Sequence, residues 1–154
     1  MVRRVLALAA LSAVAVVAAT LAQAQPTATP KPLPGLPQWT AGYTAWAKVN
    51  RAPIPTRPSD AHRGTKNVYA SKRARNGRYP VGTVIVKEVR RPGTNFVGVI
   101  AGMRKLPNRR ANNGWEMIEW DRTSARGRFG VLAQGGVCFG CHMAAKPDYV
   151  FTKR

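Results

Sequence analysis

Thr83-Val-Ile-Val-Lys-Glu-Val89 is the stretch from which the fold is read. Side chains of an extended strand point alternately to opposite faces, so Ile85, Lys87 and Val89 share one face and Val84, Val86 and Glu88 the other. Working outward, residues 67–70, 83–90, 95–103 and 115–121 all have strand character. They are separated by Asn76-Gly77, Pro92-Gly93 and Asn112-Asn113-Gly114, which are good turn formers. Consecutive strands with short links predict an antiparallel meander. The basic stretch at residues 72–78 reads as a solvated helix or loop face.

Upstream of the strands, Trp39, Tyr43, Trp46 and Val49 are spaced by four, three and three residues, which predicts an amphipathic helix. Pro53-Ile54-Pro55 ends it. Residues 25–38 are rich in proline, carry no apolar period and read as an extended linker. At the N-terminus, Met1-Val-Arg-Arg4 is followed by an uncharged Ala/Val/Leu run and then by Ala22-Gln23-Ala24, the small-x-small pattern of a cleaved secretory signal. The run is dominated by alanine and no stop-transfer charges follow, so cleavage after Ala24 is favoured over a retained anchor. The expected organisation is a signal peptide at 1–24, a linker at 25–38 and one domain at 39–154. The expected fold class is α+β: a small antiparallel sheet with an N-terminal helix and a C-terminal helical segment.

The full chain carries a formal net charge of +19. Loss of residues 1–24 removes Arg3 and Arg4 and no acid, which leaves +17. Such an excess suits nucleic acid, an anionic membrane surface or an acidic redox protein steered in by long-range attraction. Export argues against nucleic acid. The plain alternative is a self-repelling soluble surface with no specific partner.

The C-terminal helical segment contains Cys138-Phe139-Gly140-Cys141-His142. In Cys-x-x-Cys-His, two thiols add across the vinyl groups of a haem, and the adjacent histidine is placed to ligate the iron. A redox dithiol normally sits in a thioredoxin-like βαβ unit, which is missing from this sequence. A structural zinc site needs four ligands, and only His62 remains to join the other three. A plain disulfide is chemically permitted in an exported protein. Haem attachment is the reading preferred, with His142 as the metal ligand.

The sixth iron position then decides the chemistry, because an open one binds small molecules and a filled one carries electrons. Met103 and Met117 are candidates to fill it, although methionines at strand periodicity are ordinarily core. His62 lies in a loop rich in proline and charge, where an exposed histidine is the usual state. Lys87 admits two readings. Its stem can pack while the ammonium reaches solvent; or, lined by apolar groups near a cofactor, it can lose its proton and act as a nucleophile.

The run from Cys138 to Lys153, with its Asp148-Tyr-Val-Phe151 segment, resembles the end of the cytochrome P-460 family. Gly77-Arg-Tyr-Pro-Val-Gly-Thr-Val-Ile-Val-Lys-Glu88 is similar to that family's second signature, and Val68-Tyr69 and Gly114-Trp115 fall where its other strands lie. The resemblance covers residues 39–154. It implies a sheet-rich domain that commonly dimerises, with haem iron bound by the motif histidine and an open distal side. It also implies, in the hydroxylamine-oxidising members, a second covalent link from a lysine amine to the porphyrin edge, which falls here on Lys87. A related branch, the cytochromes c′-beta, lacks that link and binds nitric oxide or carbon monoxide under an apolar cover.

Oxidation of hydroxylamine needs a distal proton acceptor, and residues 122–147 contain no carboxylate. Glu116, Glu119 and Asp121 on the preceding strand are the remaining acids. Glu119 shares a face with Trp115 and Met117, and the competing reading is an edge-strand carboxylate paired with an arginine. Lys66 stands where the resemblance leads one to expect an arginine, with an amine suited to haem propionates. Three functions follow: an oxidase of hydroxylamine or nitric oxide, a gas-binding haem protein, and a six-coordinate electron carrier. In each case one haem c per chain is the cofactor and the periplasm the location. A small nitrogen-oxide or hydroxylamine-type ligand and an acidic redox protein are the expected partners, with a homodimer as the assembly.

Overall fold

The structure, a computed structural model, describes residues 29–151; the signal-peptide reading falls outside the described residues. Six strands form one antiparallel sheet in sequence order: β1 (Ala47–Lys48), β2 (Thr65–Ala70), β3 (Val84–Arg90), β4 (Val99–Lys105), β5 (Trp115–Asp121) and β6 (Gly130–Gln134). The helix α1 (Gly136–His142) follows directly. The meander and the α+β class are thus as the sequence predicts. Asn76 and Gly77, both at positive φ, close a tight turn in which Arg75 and Arg78 exchange backbone hydrogen bonds, so the basic stretch is loop.

The predicted N-terminal helix does not form. In its place are two single 3-10 turns, Gln38–Thr40 and Tyr43–Ala45, before the chain extends into β1. Gly42 sits between them at φ 68°, a left-handed conformation that interrupts any continuous helix. The aromatic spacing is nonetheless meaningful. Trp39 packs on Trp120 with ring centroids 5.6 Å apart, and Tyr43 meets Tyr69 edge-on at 5.4 Å. Gly102 of β4 makes room for this contact, since a Cβ there would lie 2.7 Å from the Trp39 ring and 2.9 Å from Trp120.

Strand limits also differ from the prediction. The predicted strand at 95–103 begins only at Val99, because Thr94 Oγ1 donates to the carbonyls of Arg91 and Phe96 and holds that segment as a loop. The strand β6, which the sequence reading missed, covers β5, so β5 is not an edge. In the proline-rich segment, Leu36 is buried with Phe129, whose backbone amide donates to the Pro34 carbonyl.

The sheet buries both faces. On one, Leu36, Tyr43, Val86, Ile100, Trp120 and Phe129 form a dry core closed by the N-terminal turns. Glu88 is buried there, accepting from Tyr43, Tyr69 and the Asn67 amide, which satisfies a charge that is otherwise costly to bury. On the other face, Val68, Ala70, Tyr79, Ile85, Met103, Trp115 and Met117 cluster under α1 and the C-terminal segment. Fully burying an aliphatic side chain of this kind contributes about 1.5–3 kcal/mol.

Candidate haem site

Between this second face, α1 and the loop of residues 54–62 lies a cavity of about 710 Å³. The strand registers explain its floor. Val68, Lys87, Ala101, Glu119 and Ala133 stand opposite one another in a row across β2 to β6, and all five line the cavity. The two alanines flanking Glu119 leave space on its β4 and β6 sides. Ile85, Met103 and Met117 form the neighbouring apolar floor. Both methionines are buried in the core cluster, in keeping with an ordinary packing role.

The roof is α1, which brings Cys138, Cys141 and His142 to the same cavity. Both cysteines are free thiols. His142 is oriented by its Nδ1, 2.8 Å from the Tyr149 carbonyl oxygen. A carbonyl can only accept, so Nδ1 carries the proton and Nε2 keeps its lone pair. Burial, opposed in part by that hydrogen bond, holds the imidazole below its ordinary pKa, and the nearby Lys87 charge pushes the same way. Burial also raises the Cys138 thiol, with a smaller contribution from Glu119. The ring of Phe151 meets His142 edge-on at 5.3 Å.

The Tyr149 carbonyl is itself held in place. Asp148, 2% exposed, accepts from the Tyr79 backbone amide at 2.7 Å, from Lys105 Nζ at 2.7 and 2.9 Å, from Asn113 at 3.1 Å and from the Trp115 indole at 3.3 Å. One buried carboxylate thus pins the C-terminal segment to the β5 start and to the loops beside it. Val150 packs against the core cluster next to it. The Asp-x-Val-Phe segment therefore acts as a clamp behind the motif histidine.

Lys87 lies half-buried in the cavity wall. Burial, reinforced by the Lys66 charge and opposed by Asp60 and Glu119, pushes its ammonium down to about 8. Far more neutral amine is then present near neutral pH than in an ordinary lysine, which is what a nucleophilic lysine requires.

The three acids of β5 separate. Glu116 pairs with Arg104 and Asp121 with Arg91, as surface carboxylates do. Glu119 departs from that reading: its Oε1 lies 2.9 Å from His62 Nδ1, and no arginine engages it. His62 is correspondingly not the exposed loop residue that its surroundings predict; its side chain is 17% exposed and lines the cavity. Lys66 stands beside it with Nζ bonded to Asp60 at 2.6 Å, the Gly64 carbonyl at 2.9 Å and the Pro55 carbonyl at 3.2 Å. Its three donors all serve the loop that carries His62. The nearby ammonium holds the Asp60 carboxyl below the usual range.

These residues fit a haem: two thiols one helical turn apart, an imidazole with a fixed tautomer, and an apolar floor broad enough for a ligand, all facing one cavity. When bound, such a group supplies an iron centre that accepts ligands and electrons. Among the described residues, no three His, Cys, Asp or Glu side chains converge closely enough to hold a bare metal ion.

No match was found among curated proteins or solved structures. Residues 40–152, most of the chain and nearly all of the described domain, match the Cytochrome P460 family. The chain belongs to the Cytochrome P460 family, whose haem cofactor accounts for the cavity between its sheet and its C-terminal helix.

Proposed function

We propose that this protein is a periplasmic mono-haem c-type cytochrome that oxidises hydroxylamine, nitric oxide or both, and passes the electrons to an acidic redox protein. One observation carries the reading: Cys138, Cys141, His142 and Lys87 all line a single cavity. The thiols of Cys138 and Cys141 would hold the haem covalently, His142 Nε2 would be the iron ligand, and Lys87 would supply a second covalent link from its amine. That link exchanges an N–H and a porphyrin C–H for a C–N bond, so two electrons and two protons leave to a two-electron oxidant such as a peroxide. The cavity volume of about 710 Å³ would leave room for a small substrate beside the bound group. The positive net charge attracts the acidic acceptor, and transfer rates that fall steeply as ionic strength rises are its expected signature.

A second reading, binding of nitric oxide or carbon monoxide without turnover, is favoured by the apolar floor of Val68, Ile85, Ala101 and Met103.

Tryptic mass spectrometry of the purified haem-bearing protein is the test. The expected product is one haem joined to both the Cys138/Cys141 peptide and the Lys87 peptide, from a protein that turns over hydroxylamine with an electron acceptor. Haem on the cysteines alone, with no turnover, moves the assignment to the gas-binding reading. Haem on neither cysteine overturns both.

A further inference from the structure

Two histidines are present in the chain, and the fold turns both toward the same cavity. Each has Nδ1 engaged by an acceptor: His142 by the Tyr149 carbonyl and His62 by the Glu119 carboxylate. An ionised carboxylate only accepts, so His62 carries its neutral-state proton on Nδ1, and Nε2 is left as a lone pair with no hydrogen bond among the described residues. A carboxylate behind an imidazole, here 15% exposed, fixes the tautomer and stabilises the imidazolium that forms when Nε2 takes a proton.

We infer that His62, positioned by Glu119, is the proton acceptor for ligands bound in this cavity. The inference rests on the haem reading above; residues 122–147 offer no carboxylate, and Glu119, the β5 acid that lines the cavity, is engaged with His62. In the step, an N–H or O–H bond of the substrate breaks and its electron pair stays on the substrate atom. The proton bonds to His62 Nε2, while His62 Nδ1–H continues to donate to the Glu119 carboxylate. No electron changes hands in this transfer.

His62 is held well enough for the task. Lys66 ties Pro55, Asp60 and Gly64 together around it, and Glu119 fixes the ring from the sheet, 57 positions away in sequence. His62 is the catalytic residue; Glu119 is a positioning residue. The other charged or titratable groups around the cavity are Lys87 from β3, Lys66 from β2, Arg57 and Asp60 from the loop, Cys138, Cys141 and His142 from α1, and Lys146 beyond it.

The test uses the carbon monoxide adduct of the reduced holo-protein, whose C–O stretch responds to a hydrogen bond on its oxygen and does not require turnover. In the native protein the stretch moves to lower wavenumber as pH falls, because protonated His62 then donates from Nε2. In His62→Leu a single pH-independent band is expected. In Glu119→Gln the hydrogen-bonded band weakens or splits, because the carboxylate that orients the ring is gone. Hydroxylamine oxidation, where it occurs, falls by about 10²-fold in His62→Leu.

A pH-independent stretch in the native protein overturns the inference, and so does a transition that persists in His62→Leu. A low-spin six-coordinate ferric spectrum that turns high-spin in His62→Leu also overturns it, by making His62 an iron ligand. Failure of hydroxylamine turnover in the native protein, with the stretch titrating as stated, removes the oxidase reading and leaves the His62 assignment intact.

Discussion

Replacing Asp148 with asparagine keeps the shape of the side chain and removes its charge, so it isolates what the clamp behind His142 contributes. In the native protein the carboxylate is 2% exposed and accepts five hydrogen bonds, two of them from Lys105 Nζ, itself 13% exposed. The amide keeps one acceptor oxygen and turns an NH₂ toward a site filled with donors, either the Tyr79 amide or Lys105. Removing one partner of a buried ion pair costs about 3–5 kcal/mol, because the other charge is stranded. Lys105 is not fully stranded, since it also lies 5.2 Å from the centre of the Trp115 ring. The expected loss is therefore near the lower end, about 3 kcal/mol, or a fall in Tm of roughly 10 °C for a domain of this size.

The same substitution reaches the iron ligand. With the segment loosened, the Tyr149 carbonyl no longer holds His142 Nδ1 at 2.8 Å, and the imidazole becomes a weaker electron donor. The reduction potential should rise in step with the loss of stability. Thermal unfolding followed by circular dichroism, paired with a redox titration of the same sample, measures both. Adding Lys105→Met should recover part of the stability, because it removes the orphaned charge, without restoring the potential. An Asp148→Asn protein within 1 kcal/mol of the native stability, or one destabilised with an unmoved potential, would refute the claim that this carboxylate holds the histidine.

On the opposite face, Gly102→Ala places a Cβ against Trp39 and Trp120, an overpacking expected to cost about 1–3 kcal/mol. It should red-shift tryptophan fluorescence and leave the haem absorption unchanged; native-like stability would show that the close approach is not needed. For Lys87, the neutral amine is the nucleophile, so linkage to the haem should accelerate as pH rises through about 8 and then level off. Lys66 pushes in this direction, while Asp60 and Glu119 oppose it. The linked fraction is read by mass spectrometry after timed peroxide exposure at different pH values. A rate still climbing toward pH 10 would mean that Lys87 titrates as an ordinary lysine.

The sheet was legible wherever local pattern and burial agree. The strand β5 spans the predicted residues, and β3 begins one residue later than predicted, because alternating apolar side chains with turn formers at the ends leave few alternatives. The N-terminal helix was misread for a definite reason: aromatics spaced by four, three and three mark one buried face in a helix, and equally in two short turns separated by Gly42. The strand β6 was missed because it is a sheet edge with Val131 and Leu132 exposed, so no buried face writes a pattern into it. At the site, Cys138, Cys141 and His142 form a local motif, and the fold brings all three to one cavity. The placement of His62 was not legible, because it depends on Glu119, which only the fold brings to it.

The placement of Lys87 argues that this face is shaped for chemistry rather than for stability. Its neighbours across the sheet, Val68 and Ala101, are apolar, and nothing in the β3 pairing requires a cation at this position. A β-branched residue here would continue the alternation of Ile85 and Val89 and fill the floor. The lysine instead carries a penalty: a shift from the ordinary value of 10.5 to about 8 corresponds to a cost on the order of 3 kcal/mol for the charged form. The other face shows that the fold can satisfy a buried charge when stability is the aim, since Glu88 is given three hydrogen-bond donors. Lys87 receives no hydrogen-bond partner among the described residues. A fold that provides for one buried charge and withholds hydrogen-bond partners from its neighbour in sequence favours the neutral, reactive form of the second, which is what the proposed link from Lys87 to a haem in this cavity requires.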